Sequence, residues 1–340
     1  MKATAPLLGV LLVAGTSPVC ADHPELPDNV TIEVRGDKRI IKSDGLPTYN
    51  PGTYPRRGNP NPISAQDYTF EVPAKPRKTR GDSIPAIGQP FGVTLDGLPL
   101  DPGAAEFWNG DREWQYEPMA GSINLGLDDN NAHVQPTGAY HYHAMPHGLL
   151  DHLSGGEKKM TQLGWAADGF PIYGPWVYEV ADDPESKIIE ATASYRVKEG
   201  RRDGGPGGRH DGTFVADYEF VESAGILDEN NGREGVTPEF PDGTYYYVIT
   251  EDFPFIPRSY AGEPDPSFQR RHYMGGRGGE RPPRGGPPGG GIRPPDFEGK
   301  GGKGGKGKGG KGKGKGGPPS GPPPGSPRGG DPLDFLRYLD

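Results

Sequence analysis

The stretch Ala139-Tyr140-His141-Tyr142-His143 alternates tyrosine with histidine. In a β-strand successive side chains point to opposite faces, so the two histidines would share one face and the two tyrosines the other. Aromatic residues are also enriched in strands. The stretch therefore predicts a strand. Further strands are predicted at residues 30–34, 68–72, 91–100, 170–177 and 244–250.

These short strands predict a mainly β fold. Helical periodicity is weak, proline occurs throughout, and one short helix is predicted within residues 149–163. The dipeptide Asp96-Gly97 lies in the middle of the stretch 91–100, where it predicts a hairpin with a type I′ turn. We expect one domain over residues 29–262, folded as a β-sandwich or an open-barrel-like sheet with long loops.

The histidines are concentrated around the predicted strand. Four of the eight fall between His141 and His152, and His133 lies just before them. His141 and His143 share a face and can reach one metal ion, and a proline and a glycine after His133 let the chain turn back toward them. Imidazole ligands suit Cu²⁺ or Zn²⁺. We predict a metal site made of His133, His141 and His143. A structural ladder of aromatic and histidine side chains, and acid–base use without metal, remain alternatives.

A second block, GWAADGFPIYGPW, begins at Gly164. One interpretation places Asp168 beside the histidines, where its carboxylate orients a ring nitrogen, with Tyr142 and Tyr173 near the same site. The alternative is a strand–turn–strand that lines the core. The sequence contains neither GxSxG nor HExxH, so no residue is assigned a catalytic role.

The N-terminus predicts a signal peptide over residues 1–21. Lys2 precedes a nine-residue apolar stretch, and small residues before Asp22 form a cleavage site. Nine residues are too short for a membrane-spanning helix, which needs roughly 20, and no later segment is apolar enough. We expect export to the periplasm or the extracellular space. Cleavage would remove Cys20, the one cysteine, so the metal ligands would be nitrogen and oxygen atoms.

The C-terminus differs from the rest in composition and charge. Residues 265–330 are rich in Gly, Lys and Pro, which predicts disorder. Residues 331–340 carry apolar residues that could form a short helix. From residue 265 onward the chain holds 15 Lys and Arg against 7 Asp and Glu, whereas the preceding part holds 22 against 39. Such a basic tail suits anionic polysaccharide, mineral or an envelope surface, or serves as a solubilising spacer. It contains no specific nucleic-acid or phosphate-loop motif.

The segment from Asp228 to Gly235 contains half of a calcium-loop pattern. It supplies Asp228, Asn230 and Gly232, but it lacks the further acidic ligands and the terminal Glu of a helix–loop–helix site. An ordinary Asn-Gly turn is therefore favoured over a calcium site.

Several blocks in order resemble the YHYH domain family of secreted proteins, over about residues 30–262. They are SDGLPTY at Ser43, GNPNPISAQDYTFEVPAKP at Gly58, IGQPFGVTLDGLPL at Ile87, GAYHYHAMPHGLL at Gly138, GWAADGFPIYGPW at Gly164 and GTYYYVITEDFPF at Gly243. His141, His143 and Asp168 fall in matching blocks.

The resemblance implies a secreted domain and no particular activity. Family members often carry cysteines where this chain has His147 and Ser259-Tyr260, and a histidine near Tyr49. The chain therefore lacks the disulfide and the additional ligand that the resemblance would otherwise imply.

Three functions fit the sequence. The first is an exported protein that binds Cu or Zn through the His-x-His strand and a third histidine. The second is a metal-dependent extracellular enzyme, a hydrolase or an oxidase. The third is a surface or matrix binding protein with a basic adhesive tail.

Overall fold

The computed structural model describes residues 27–269. The predicted signal peptide (1–21), the tail from residue 270 to 330 and the C-terminal segment 331–340 lie outside the described residues. Within them the regular secondary structure is mostly β-strand, with one α-helix, α1 (His147–Ser154). The prediction of a mainly β fold is confirmed. No described helix is long and apolar enough to cross a membrane.

The strands are short and are numbered in chain order. They are β1 (Val30–Arg35), β2 (Lys38–Ser43), β3 (Tyr68–Pro73), β4 (Ile84–Pro85), β5 (Gly92–Thr94), β6 (Pro99–Leu100), β7 (Ala132–Val134), β8 (Tyr140–Tyr142), β9 (Gln162–Ala166), β10 (Pro171–Tyr173), β11 (Trp176–Tyr178), β12 (Ile188–Glu190), β13 (Tyr195–Val197), β14 (Tyr218–Phe220), β15 (Gly232–Gly235), β16 (Thr244–Val248) and β17 (Ser259–Tyr260). Four 3₁₀ turns cover Trp108–Gly110, Pro118–Ala120, Val215–Asp217 and Pro266–Phe268.

Strands β1, β2 and β3 form an antiparallel sheet that shares the main core with a larger sheet. Along β3 the side chains of Tyr68, Phe70 and Val72 are buried and alternate with more exposed ones, as expected for a strand with one face on the core. Phe70 stacks on the buried Phe268 with ring centroids 4.8 Å apart. The packed part of the chain therefore extends beyond residue 262.

The larger sheet has eight strands in the order β15-β16-β10-β9-β5-β6-β8-β7. Its centre is the antiparallel pair of β5 and β9. Outward from β5 lie its hairpin partner β6, then β8, which is parallel to β6, and then the antiparallel edge strand β7. Outward from β9 lie β10, β16 and β15 in the same relations. The order is thus the same when it is read outward from the centre in either direction, and the sheet does not close into a barrel.

This symmetry arises from two copies of one structural unit. We call residues 92–143 the first repeat and residues 164–248 the second repeat. The matching sequences are LDGLPL at Leu95 and ADGFPI at Ala167, LDDNN at Leu127 and LDENN at Leu227, and GAYHY at Gly138 and GTYYY at Gly243.

The strand registers of the two repeats correspond residue by residue. Leu100 pairs with Tyr142 as Ile172 pairs with Tyr247. At the edges, His133 pairs with His141 as Arg233 pairs with Tyr246. Val93 and Trp165, which occupy corresponding positions in the two repeats, pair with each other at the centre.

The hairpin in the first repeat forms, but the prediction of a type I′ turn is wrong. That turn needs two positive φ angles, and of its two predicted central residues only Gly97 has one, at +76°. The turn instead closes with a hydrogen bond from the Gly97 amide to the Thr94 carbonyl, 2.9 Å long. This geometry leaves the Asp96 side chain buried inside the hairpin, where it accepts a hydrogen bond from Tyr142.

Two other elements differ in extent from their predictions. The stretch 170–177 is divided between β10 and β11, which belong to different sheets. Pro175 lies at the break, and proline cannot donate a backbone hydrogen bond to a ladder. The predicted helix starts two residues early and ends at Ser154, because Gly155 terminates it with a φ of +68°.

Candidate metal centre

Three histidines converge on one face of the eight-stranded sheet. The register of β7 and β8 sets His133 opposite His141, and His143 follows β8 on the same face. The Nε2 atom of His143 lies 3.1 Å from the Nε2 of His141 and 3.1 Å from that of His133. Within residues 27–269 these three side chains, which we call the His trio, are the one group of three or more whose ligand atoms lie close enough to hold a metal ion.

The outer ring nitrogens are held by backbone carbonyls. Nδ1 of His133 lies 3.0 Å from the Leu125 carbonyl, and Nδ1 of His141 lies 3.3 Å from the Ala139 carbonyl. A carbonyl only accepts, so in both neutral rings Nδ1 carries the proton and Nε2 presents its lone pair toward His143. A proton on Nε2 of His143 can point along only one of its two contacts. The other contact then leaves a ring lone pair facing a nitrogen that has no proton to share with it.

The surroundings of the trio favour neutral imidazole rings. Burial, followed by the neighbouring His141, lowers the pKa of His133 to about 3. Burial and the two other rings lower the pKa of His143 well below its usual value. Neutral imidazole is the form that binds metal. His141 and His143 are buried, whereas His133 is partly exposed, so solvent reaches the trio from the His133 side.

The two tyrosines of the same strand support it from the opposite face. The Tyr140 hydroxyl donates to Asp128 over 2.5 Å, and the Tyr142 hydroxyl donates to the buried Asp96 over 2.8 Å. Their rings contact each other at 5.8 Å between centroids. Tyr142 therefore contributes to the strand that carries the histidines, and its hydroxyl is directed away from them.

Asp168 and Tyr173, which were predicted to lie near the trio, belong to the second repeat. The Asp168 carboxylate accepts hydrogen bonds from the Tyr247 hydroxyl over 2.5 Å and from the Gly262 amide over 2.9 Å. Burial raises the pKa of Asp168 to about 6. The Tyr173 hydroxyl donates to Glu239 over 2.6 Å. The described hydrogen bonds of both residues thus run within and around the second repeat.

Charged residues that sequence reasoning missed lie around the trio. Asp101 is buried, and its charge acts to raise the pKa of His133. The guanidinium of Arg258 acts in the opposite sense on His143, and it is paired with the buried Glu117 over 2.6 Å. Neither Arg258 nor Glu117 belongs to a motif that could have indicated this position.

Asp228 closes a turn with its carboxylate. One oxygen accepts hydrogen bonds from the amides of Asn230 and Gly232, each 2.9 Å long, and the Tyr245 hydroxyl donates to the other over 2.9 Å. The favoured interpretation of this segment, an Asn-Gly turn, describes the arrangement.

The remaining described histidines lie elsewhere. His147 and His152 lie on α1. Nδ1 of His210 lies 3.1 Å from the buried Asp217. Asp217 also binds Arg202 through both carboxylate oxygens, at 2.7 and 2.6 Å. These contacts order the glycine-rich segment around residues 201–212.

Comparison with known proteins gives one match. A family model described as YHYH protein matches residues 69–262, a range that contains the His trio and both repeats. No curated protein and no solved structure shows significant similarity to the chain.

Proposed function

Because the chain belongs to the YHYH protein family, we propose that the histidines of its defining strand, together with His133, bind one transition-metal ion. The observation that carries the proposal is the set of contacts between Nε2 atoms. Two of the rings present lone pairs to His143, and the two contacts are each 3.1 Å long. With the His143 proton on Nδ1, a cation shared by the three Nε2 atoms turns their lone pairs into ligands.

The ligand type favours Cu or Zn. Three imidazole nitrogens are a donor set that both ions accept. With metal–nitrogen bonds of about 2.0–2.1 Å, two ligands lie roughly 2.9 Å apart at a right angle and roughly 3.4 Å apart at a tetrahedral angle. The observed separation of 3.1 Å falls between these values.

The alternative of a structural ladder explains these contacts less well. Buried polar groups in native proteins are normally paired with a hydrogen-bond partner. In a metal-free trio, one of the 3.1 Å contacts lacks a proton when all three rings are neutral. Protonation of the trio would supply it, but burial lowers the pKa of His133 to about 3.

A metal-dependent extracellular enzyme is the second candidate. Catalytic zinc sites use three protein ligands and keep a position for water or substrate, whereas structural sites have four ligands. The trio provides three ligands, and the partly exposed His133 places it within reach of solvent. No catalytic residue is assigned. The third hypothesis, a surface or matrix protein, depends on tail residues that the structure does not describe.

Export to the periplasm or the extracellular space is part of the proposal. It rests on the apolar stretch and the small residues before Asp22. In those compartments the metal site would assemble in a chain that retains no cysteine after cleavage.

Elemental analysis of the purified full chain tests the function. The protein is stripped with chelator, reloaded with Cu²⁺ or Zn²⁺, desalted and analysed for metal per chain. One ion per chain is expected, and the double variant His141→Ala/His143→Ala should lose it. His152→Ala, which removes an exposed histidine on α1, is the control and should keep it. A parent protein without tightly bound metal, or a double variant that retains it, would overturn the proposal.

A further inference from the structure

The two repeats use the same hydrogen bonds to build their scaffolds. In the first, Tyr142 donates to Asp96 and Tyr140 donates to Asp128. In the second, Tyr247 donates to Asp168 and Tyr245 donates to Asp228. These four bonds occupy corresponding positions in the two copies. The tyrosines and carboxylates are therefore components of the fold.

The asparagine turns correspond as well. Asn131 and Asn231 have φ angles of 56° and 55°. The carbonyl of Asn131 accepts from the His143 amide over 2.8 Å, and that of Asn231 accepts from the Val248 amide over 3.0 Å. The backbone that positions His143 in the first repeat is thus also present in the second, where it positions a valine.

The side chains on the face of the His trio differ between the repeats. Arg233, Tyr246 and Val248 stand in the second repeat where the first has His133, His141 and His143. Tyr246 and Val248 pack in a buried apolar cluster. The remaining cluster members include Met160, Tyr173, Val177 and Leu227.

Asp101 also differs between the two repeats. Asp101 follows Leu100 in the first repeat, and Tyr173 follows Ile172 in the second. Since Leu100 and Ile172 make equivalent parallel pairings, Asp101 and Tyr173 occupy the same position. The four tyrosine–carboxylate hydrogen bonds and the asparagine turns keep their residue types in both repeats, whereas Asp101 changes like the three histidines. This pattern groups Asp101 with the site rather than with the fold.

The location of Asp101 agrees with this grouping. Its amide donates to the Tyr142 carbonyl over 2.9 Å, between His141 and His143 in the chain. Leu100 lies beside Tyr142 in register, so strand alternation puts Asp101 on the face of His141 and His143. The charge of Asp101 acts to raise the pKa of His133.

We propose that Asp101 is the counter-charge of the metal centre, a carboxylate that faces the His trio and compensates the charge of a divalent ion held there. This inference rests on the proposed function. Three neutral imidazoles leave the full charge of the ion in a mostly buried site, which is costly without a compensating group. Arg258 would add to that cost, but its charge is already paired with Glu117. Asp101 supplies the missing negative charge.

Metal titration of Asp101 variants tests the inference. The full chain and its Asp101→Asn, Asp101→Glu and Asp168→Asn variants are stripped of metal, and then titrated with Cu²⁺ and Zn²⁺ against a competing chelator. A parallel titration uses Cu⁺ under reducing, anaerobic conditions. Asn can still accept the hydrogen bond from the Gly103 amide, which the Asp101 side chain now accepts over 3.2 Å, so the turn is kept. Thermal melts of the metal-free proteins check folding.

The expected result depends on the charge of the ion. Asp101→Asn should weaken Cu²⁺ and Zn²⁺ binding about 10- to 100-fold and Cu⁺ binding by a smaller factor, because a monovalent ion needs less compensation. Asp101→Glu, which keeps the charge, should recover part of the divalent affinity. Asp168→Asn removes a buried carboxylate at a scaffold position of the second repeat and should leave metal affinity unchanged.

The outcomes separate this inference from the proposed function. If the parent binds no metal, the proposed function fails, and this inference fails with it. If the parent binds metal and Asp101→Asn binds Cu²⁺ equally well, only the counter-charge is refuted. An equal loss for Cu⁺ and Cu²⁺ would assign Asp101 a purely structural role and refute it too. Should Asp101→Asn not fold, retained divalent affinity in Asp101→Glu would support the inference, and its loss would overturn it.

Discussion

His133 and His141 lie directly opposite each other on β7 and β8, with ring centroids 4.6 Å apart. The third histidine of the trio is therefore placed by sheet register. A shift of one residue between β7 and β8 would turn His133 to the other face of the sheet. The geometry of the short connection between these strands consequently decides whether the trio can form.

Substitutions within the strand should separate metal binding from folding. His141→Ala and His143→Ala should each abolish the rise in melting temperature that Cu²⁺ or Zn²⁺ gives to the parent, because each removes a ligand. Tyr142→Phe should keep that rise. It should lower the metal-free unfolding free energy by about 1–3 kcal/mol, since one carboxylate oxygen of the buried Asp96 loses the donor that Tyr142 supplies. Calorimetric melts with and without metal measure both effects.

The opposite ordering would support the structural ladder. In that case the histidine variants would destabilise the metal-free protein, and metal would not shift the melting temperature of the parent. Tyr247→Phe is the matched control, because it removes the corresponding hydroxyl to Asp168 in the second repeat. It should lower the unfolding free energy by a similar amount and keep the rise in melting temperature that metal gives.

The connection between β7 and β8 depends on Gly138. Its φ is +84°, and a Cβ there would lie 1.9 Å from Oγ of Ser64. Gly138→Ala should therefore combine backbone strain with a steric clash, and we expect a loss of about 2–4 kcal/mol in unfolding free energy. Metal affinity should fall as well, because the turn aligns His133 with His141. Urea denaturation and metal titration measure the two losses.

Gly110→Ala is the control for backbone strain alone. Gly110 has a φ of +77°, and a Cβ there would meet no atom within 4 Å. Its substitution should cost about 1 kcal/mol and leave metal affinity unchanged. Equal losses of unfolding free energy in Gly138→Ala and Gly110→Ala would show that the Ser64 side chain moves away from the new Cβ with little loss of stability.

Local pattern was sufficient to predict much of this fold and the His trio. Alternation with a period of two is a property of a single strand, so β1, β3 and β8 could be found from their own residues. The position of His133 also followed from local features, because a turn containing proline and glycine separates it from His141.

Non-local pairing explains what the same reasoning missed. Asp101 approaches the trio because β6 pairs in parallel with β8, although Leu100 and Tyr142 are far apart in sequence. The alternation of side chains within one strand does not indicate which other strand it pairs with. The repeated segments LDGLPL at Leu95 and ADGFPI at Ala167 did carry a signal. Their alignment would have placed Asp168 with Asp96 as a tyrosine partner.

Export predicts a defined mature N-terminus. Protein recovered from its native host should begin at or near Asp22 and lie outside the cytoplasm, because the preceding residues form a cleavable apolar segment. Intact-mass measurement after cell fractionation gives both results. A chain lacking residues 2–21 should stay in the cytoplasm. Cytoplasmic protein that retains Met1 to Ala21 would contradict export.

Acid should destabilise the metal-free protein through the His trio. Burial lowers the pKa of His133 to about 3 in the folded state, against about 6.5 in an unfolded chain. Between these values the unfolded state binds more protons, so stability falls as pH decreases from about 6.5 toward 3. The slope per group is at most about 1.4 kcal/mol per pH unit. Above pH 6.5 both states are neutral and this contribution to the pH dependence disappears.

The comparison with His133→Gln isolates this effect. Both proteins contain Asp168, whose raised pKa of about 6 acts in the opposite direction, so its contribution cancels in the difference. The unfolding free energy of the parent should fall more steeply than that of His133→Gln between pH 6.5 and 4, as measured by urea denaturation in the presence of chelator. Parallel pH profiles would show that His133 titrates normally in the folded protein. Its ring would then be more hydrated than its position among Leu125, His141 and His143 implies.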